Sequence, residues 1–238
     1  MIQIQVKPML CLGEFLGKSK MKKKENIVGV SILSSDFFDI KNTMKKINSS
    51  DVDFVHLDVM DGVFVPNISF GPHFISSVRS HSKKVFDVHL MVKNPYPYIR
   101  DFVNCGADIV TVHIESKNAM KSLKLLKSLN KKCGIVVNPE TSYKKVRRFL
   151  GIVDVVMVMT VHPGFGGQKF MEDQLLKISN IATMIKKCGR DILLEVDGGI
   201  NDKTLKMAKK SGANAFVVGS YLFNQPDFVV AVSNLKKV

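Results

Sequence analysis

The chain of 238 residues holds no uninterrupted apolar stretch that could cross a bilayer. Its longest nearly continuous one, Ile152 to Val161, carries Asp154 and reaches half of the roughly 20 residues a spanning helix needs, so a membrane function is not expected. Cysteine is scarce as well: Cys11, Cys105, Cys133 and Cys188 show neither paired nor metal-type spacing. That excludes a disulfide framework and favours reduced thiols in the cytoplasm. Acidic residues are in deficit, with 21 Asp and Glu against 35 Lys and Arg and a formal net charge of +14. Such a molecule attracts anions at long range, which admits nucleic acid, an acidic surface or a phosphorylated metabolite. The cations fall in short pieces along the whole chain, among them Lys22 to Lys24, Lys144 to Arg148 and Lys209 with Lys210, as on the solvated faces of many helices. No zinc-finger spacing, aromatic-rich RNA-binding strand or basic zipper accompanies them, so nucleic acid is not expected as a partner.

What is present is the composition of a packed globular protein, 45% apolar and 24% charged. Residues 1–26 stand apart. Their short apolar piece, Met9 to Leu16, is broken by Glu14 and followed by Lys18 to Lys24, the reverse of a secretory signal. With no Arg and a single Ser19 they also differ from an organelle transit peptide, and they are expected to form a flexible basic extension.

From Ile27 onward, short β-branched runs alternate with amphipathic stretches. The runs are Ile27 to Leu33, Phe54 to Val59, Val85 to Met91, Ile109 to Ile114, Gly134 to Val137, Val153 to Met159, Ile192 to Val196 and Ala215 to Val218. They are almost continuously hydrophobic, as parallel strands covered on both faces are. Between them Phe37, Ile40, Met44 and Ile47, and again Leu175, Ile178, Ala182 and Ile185, recur at helical spacing. A weak repeat (Cys105-Gly106-Ala107-Asp108, Cys188-Gly189-Arg190-Asp191, Ser211-Gly212-Ala213-Asn214) precedes three of the runs, with a glycine where a helix must stop. Eight such units of about 26 residues predict an α/β fold, a single-domain (β/α)8 TIM barrel over residues 27–238. An open doubly wound sheet is the alternative. It would normally carry a glycine-rich loop after the first strand, where this chain has Ser34-Ser35-Asp36, an ordinary helix start.

In a barrel, polar residues at the C-terminal ends of strands share one mouth. The second run ends His56-Leu57-Asp58-Val59-Met60-Asp61-Gly62, the third Asp87-Val88-His89-Leu90-Met91, and the seventh Glu195-Val196-Asp197-Gly198-Gly199. His56, Asp58, His89 and Asp197 are donors suited to a divalent transition metal. Each alone has a structural explanation. Together, in a mouth otherwise lined by Met60, Met91 and Met159, they would be costly to desolvate without a shared partner. Asp87 and Glu195 lie one layer deeper, either orienting those ligands or forming a structural pair. His73, His81 and His162 read as structural or surface residues, with His113 at the end of the fourth run the exception to watch. The sixth run leads into His162-Pro163-Gly164-Phe165-Gly166-Gly167-Gln168, whose backbone could close over a bound anion. Gly198-Gly199 and Gly219-Ser220 follow the seventh and eighth runs, where barrels commonly bind phosphate.

At these residues the chain resembles the ribulose-phosphate 3-epimerases. The resemblance rests on Ser31 to Phe37, His56 to Gly62 with Phe64-Val65-Pro66-Asn67, Asp87 to Val92, His162 to Phe170, Glu195 to Gly199 and Gly219-Ser220, in the expected order from about Ile27 to the C-terminus. It implies one divalent metal ion (Zn, Fe, Mn or Co) held by His56, Asp58, His89 and Asp197, with Asp58 and Asp197 as the acid/base pair. Substrate and phosphate contacts are implied for Ser31, His89, Gly164, Phe165, Gly166, Gly167, Asp197, Gly198, Gly199, Gly219 and Ser220. The implied substrate is a phosphorylated ketose, and the implied reaction is the interconversion of D-ribulose 5-phosphate and D-xylulose 5-phosphate in the pentose phosphate pathway. A homo-oligomer in the cytoplasm is expected. Gly29-Val30 replaces the Ala-Pro usual before Ser31, and His162 stands where Asn or Glu is usual. Epimerisation of a six-carbon ketose phosphate such as D-allulose 6-phosphate is the nearest alternative. Related barrel decarboxylases carry a lysine in the third strand, which here has none, and a non-catalytic phosphosugar- or nucleic-acid-binding protein is the reading from another class.

Overall fold

The computed structural model describes residues 25–238. Eight parallel strands, β1 (Ile27–Ser31), β2 (Phe54–Met60), β3 (Val85–Met91), β4 (Ile109–His113), β5 (Lys132–Val137), β6 (Val155–Met159), β7 (Leu193–Asp197) and β8 (Ala215–Val218), close into one barrel, each paired with the next and β8 with β1. Around it run α1 (Ile40–Ser49), α2 (Pro72–Arg79), α3 (Ile99–Asn104), α4 (Ala119–Ser128), α5 (Gln174–Cys188), α6 (Asp202–Lys210), α7 (Ser220–Phe223) and α8 (Phe228–Lys237). The barrel expected from the sequence is therefore the fold. Expectations for residues 1–24 lie outside the described residues, whereas Asn26 is tied down: its amide donates to the carbonyls of Leu235 and Val238 at the end of α8.

Strand alternation sorts the side chains. Val28, Val30, Val55, Leu57, Phe86, Val88 and Leu90 point outward into a continuous core against the helices. Ile27, Phe54, Ile109, Val155, Leu193 and Ala215 point inward and plug the N-terminal end of the tube. That plug explains Gly29: a Cβ there would lie 2.2 Å from the Phe54 ring, so only glycine leaves room for the aromatic side chain that fills the axis. The departure at Gly29 is thus paired with Phe54.

The same end shows a fourfold device. Asp53, Asp108, Asp154 and Asn214, each directly before an even-numbered strand, accept the backbone N–H of Val28, Phe86, Cys133 and Leu194 on the preceding strand. Their own N–H groups donate back to the carbonyls of Val28, Phe86, Cys133 and Leu194. The three aspartates in addition face Lys236, Arg79 and Lys127. Two members, Asp108 and Asn214, close the sequence repeat, and its three glycines all take positive φ, as a helix stop requires.

Two local expectations differ. Phe37 does not open α1 but sits in a separate 3-10 turn, Phe37–Asp39, capped by Asp36 and packed edge-on against Phe70. Between β5 and β6 the connection is a 3-10 helix, Tyr143–Phe149, and not an α-helix. Its apolar residues Tyr143, Val146 and Phe149 recur every three positions, the period of a 3-10 helix, which turns Val146 and Phe149 into the core with Tyr143 packed against it.

Candidate active site

Ladder register brings the mouth together. Asp58 of β2 lies beside His89 of β3, His56 beside Asp87, Ser31 of β1 beside His56, and Asp197 of β7 beside Met159 of β6. His56 Nε2 lies 3.4 Å from His89 Nδ1 and 3.3 Å from Asp58 Oδ1, and His89 Nδ1 lies 3.0 Å from Asp58 Oδ1. Asp197 Oδ2 stands 3.9 Å from both imidazole nitrogens. One donor atom from each of the four residues falls within 4.8 Å of the others. Adjacent donors of a four-coordinate ion with bonds of about 2.0–2.2 Å stand roughly 3.3 Å apart, so the donor set fits a divalent transition metal in spacing as well as in chemistry.

Below this cluster His56 Nδ1 is 2.8 Å from Asp87 Oδ2 and 3.7 Å from Glu195 Oε1. Among the described residues, the other Asp87 oxygen and Glu195 Oε1 have no hydrogen-bond partner although both are buried. Asp87 therefore takes the orienting role left open by the sequence, holding the His56 ring. His89 Nε2 meets His113 Nε2 at 2.8 Å, so His113, the exception, does join the cluster.

Burial and mutual charge set the proton affinities. For Asp58, desolvation would raise the pKa, but the charges and hydrogen bonds of His56 and His89 outweigh it and hold the carboxyl well below the usual range. Asp197 moves the other way: burial, followed by the Asp58 charge, pushes it up to about 6. Desolvation opposes protonation of His56, but Asp58 and Asp87 raise it well above its ordinary value. Burial and Asp87 likewise raise Glu195. Two carboxylates a few ångströms apart thus have their proton affinities driven in opposite directions, the arrangement from which acid/base pairs are built.

Above the cluster opens a cavity of about 310 Å³. Among the residues expected to touch substrate, Ser31, Gly164, Phe165, Gly166, Gly167, Asp197, Gly198, Gly199, Gly219 and Ser220 line it, as do Asp58, Met60, Met91 and Met159. His56 and His89 lie just beneath, fully buried. Asp58 divides its oxygens between two tasks: Oδ1 faces the histidines, while Oδ2 accepts the Ser31 hydroxyl at 2.6 Å on the cavity side. Gly199 has φ +66°, and a Cβ there would lie 2.4 Å from the backbone nitrogen of Phe170, so the loops after β6 and β7 can touch only through a glycine. The glycine loop is pinned: Asn67 donates to the Gly164 carbonyl, and the Gln168 amide donates to the carbonyls of His162 and Phe165. His162 itself points out to Glu140.

Sequence reasoning missed several contributors. Ser34, Asn201, Tyr221 and Asn224 also line the cavity. Thr160 donates its hydroxyl to the carbonyls of Asp197 and Gly198, fastening the end of β7. Asn201 could have been found, since Asn201-x-x-Thr204 directly after Gly198-Gly199-Ile200 is a helix-capping signature, and both halves of that capping box are formed. Ser34 and Thr160 carry no such local signal, because their partners are distant in the chain.

Comparison with known proteins agrees with this geometry. Residues 27–223 match the model of the Ribulose-phosphate 3 epimerase family. The ribulose-phosphate 3-epimerase of Bacillus subtilis is 41% identical over 211 residues, 88% of this chain and 97% of its own, and that of a Synechocystis strain is 39% identical over 216 residues, 90% and 94%. A chloroplastic ribulose-5-phosphate-3-epimerase of Arabidopsis thaliana is 39% identical over 220 residues, 91% of this chain and 78% of its own. Among solved structures, 3-keto-L-gulonate-6-phosphate decarboxylase from Vibrio cholerae superposes with a TM-score of 0.67 at 14% identity, over 90% of this chain and 96% of its own. The 3-hexulose-6-phosphate synthase of Salmonella typhimurium gives 0.67 at 17%, over 88% and 96%. At such identities these two speak for the barrel alone.

Proposed function

The chain belongs to the ribulose-phosphate 3-epimerase family, an enzyme family, and we propose that it interconverts D-ribulose 5-phosphate and D-xylulose 5-phosphate, a step of the pentose phosphate pathway, by moving the proton at C3. The observation that carries this reading is the pair of carboxylates, Asp58 and Asp197, under one cavity with proton affinities driven apart. Inverting a carbon beside a ketone requires proton removal on one face and delivery on the other. Asp58 is ionised and can take the proton, while Asp197, with its pKa raised to about 6, is the better placed of the two to hold and give one; the reverse reaction exchanges the roles. The Ser31 hydroxyl steadies the Asp58 oxygen on the substrate side. Met60, Met91 and Met159 wall the site without offering competing protons.

His56, Asp58, His89 and Asp197 would hold one divalent ion, Zn, Fe, Mn or Co. When bound, it supplies positive charge against the charge that builds on the substrate oxygens as the C3 proton leaves, a contribution of several kcal/mol. The phosphate belongs over Gly198-Gly199 and Gly219-Ser220, under the loop from Gly164 to Gly167, and the surplus of positive charge draws it in. No helix among the described residues is long and apolar enough to cross a membrane. We assign the chain to the cytoplasm on its free thiols, Cys105, Cys133 and Cys188. A homo-oligomer is supported by Phe38, fully exposed, and Ile68, 75% exposed, apolar side chains that a second copy would cover.

The test is turnover of the five-carbon and of a six-carbon ketose 6-phosphate by the wild type, Asp58→Asn and Asp197→Asn. The wild type should prefer the pentose, and each variant should lose at least the roughly 10²–10⁴-fold of a general acid/base. Near-normal rates in either variant refute the two-carboxylate scheme, and preference for the hexose reassigns the substrate.

A further inference from the structure

His89 presents Nδ1 to the four-residue cluster, so its proton must sit on Nε2 if Nδ1 is to offer a lone pair. The partner of Nε2 is another imidazole nitrogen, His113 Nε2, at 2.8 Å. Two nitrogens at that distance need one donor and one acceptor, so His113 Nε2 must be bare and its proton must lie on Nδ1. His113 Nδ1, buried and without a formed hydrogen bond among the described residues, faces Glu115 Oε2 at 3.4 Å, with the Asn138 side chain the other group against it. Both atoms of His113 that could bond are buried, its ring meets that of His89 edge to edge with the planes 24° apart and centroids 4.9 Å apart, and Phe64 covers it at 4.6 Å. Glu115 is anchored separately: its Oε1 accepts the backbone N–H of Asn138 at 3.2 Å.

We propose that Glu115 and His113 are positioning residues that fix the tautomer and the ring orientation of His89, a carboxylate–imidazole–imidazole chain running from the rim of the barrel to the metal cluster. This deepens the reading above and rests on the divalent ion that it assigns to His56, Asp58, His89 and Asp197. Asp87 does for His56 directly what Glu115 does for His89 through one intervening ring. A carboxylate is needed at position 115 because both of its oxygens face donors. In Glu115→Gln, one oxygen can still accept from the Asn138 N–H, and the amide NH2 then confronts His113 Nδ1. That forces the His113 proton onto Nε2 and the His89 proton onto Nδ1, against the metal.

The probes are Zn and Co(II) alone, added to chelator-stripped full-length protein. The wild type should bind both ions in competition with a chromophoric chelator. Glu115→Gln, a change at the partly exposed rim, should weaken binding about 10- to 100-fold. It should also alter the visible absorption of the Co(II) form while leaving the melting temperature of the metal-free protein unchanged. His113→Phe, which keeps an aromatic ring against His89 and removes both nitrogens, should weaken binding to a similar extent. A purely structural role would lower the metal-free melting temperature and leave the Co(II) spectrum of the folded fraction as in the wild type. Unchanged affinity and spectrum in Glu115→Gln overturn the proposal while leaving the metal assignment standing. If the wild type binds neither ion, the assignment itself fails, and the positioning role falls with it.

Discussion

Cys105 and Cys133 are packed in the core, and burial pushes their thiols up to about 11 and about 12. Because the folded values lie above that of an unfolded thiol, this contribution to stability is full below the unfolded pKa, near 9. It is lost as the pH climbs through 11 to 12, since the unfolded chain gives up those protons first. At pH 8.5 iodoacetamide should therefore alkylate exposed Cys188 and leave Cys105 and Cys133 intact, as read by peptide mass mapping. Rapid labelling of either buried thiol would contradict their packing. The chemistry of His56, Asp58, His89 and Asp197 was legible at this same scale, because a strand sends residues i and i+2 to one side and a barrel gathers strand ends. Ser34 and Thr160 were not, because what matters about them is a neighbour from another strand or loop. Thr160 acts across 37 residues of chain on the carbonyl of Asp197.

Among the elements, the strands were the most legible. All eight runs became strands, with ends shifted by a residue or two, because parallel strands buried on both faces leave an uninterrupted apolar signature. The connection Tyr143–Phe149 was not legible: a spacing of three fits a 3-10 helix and is close to one turn of an α-helix, and the core contact decided between them. Also hidden were the clamps Asp53, Asp108, Asp154 and Asn214, since a lone acid before an apolar run is ordinary turn chemistry until its partner strand is known. Asp154→Ala leaves the N–H of Cys133 without its side-chain acceptor and should cost about 1–3 kcal/mol in a urea melt, with no change in KM. A wild-type melt would show that the clamp contributes nothing. In the loops, Gly199→Ala should impose about 1–3 kcal/mol of backbone strain and push Phe170 and the glycine loop off the cavity. A ten- to hundredfold drop in kcat/KM is expected, and wild-type kinetics would mean that those loops need not touch.

At the scale of the whole molecule, the barrel makes the chemistry possible by geometry. Plugging its N-terminal end with Phe54 and its apolar neighbours leaves the other end free to carry buried charge, where six titratable side chains, His56, Asp58, Asp87, His89, Glu195 and Asp197, stack in two inward layers. That they come from β2, β3 and β7 and yet share one floor follows from closure of the sheet. A net charge of +14 gives the molecule a long-range field for an anionic sugar, so substrate capture should weaken as salt is added.

The central claim is that two facing carboxylates exchange the proton at C3 with water. The most direct measurement is incubation of D-ribulose 5-phosphate with the wild-type enzyme in D2O, before and after metal removal by a chelator, with deuterium followed by proton NMR. Deuterium should enter at C3 of both sugars at a rate comparable to epimerisation, and both processes should stop together on chelation and resume when Zn or Co(II) is restored. Epimerisation with no deuterium at C3, or at full speed in the stripped protein, would contradict it.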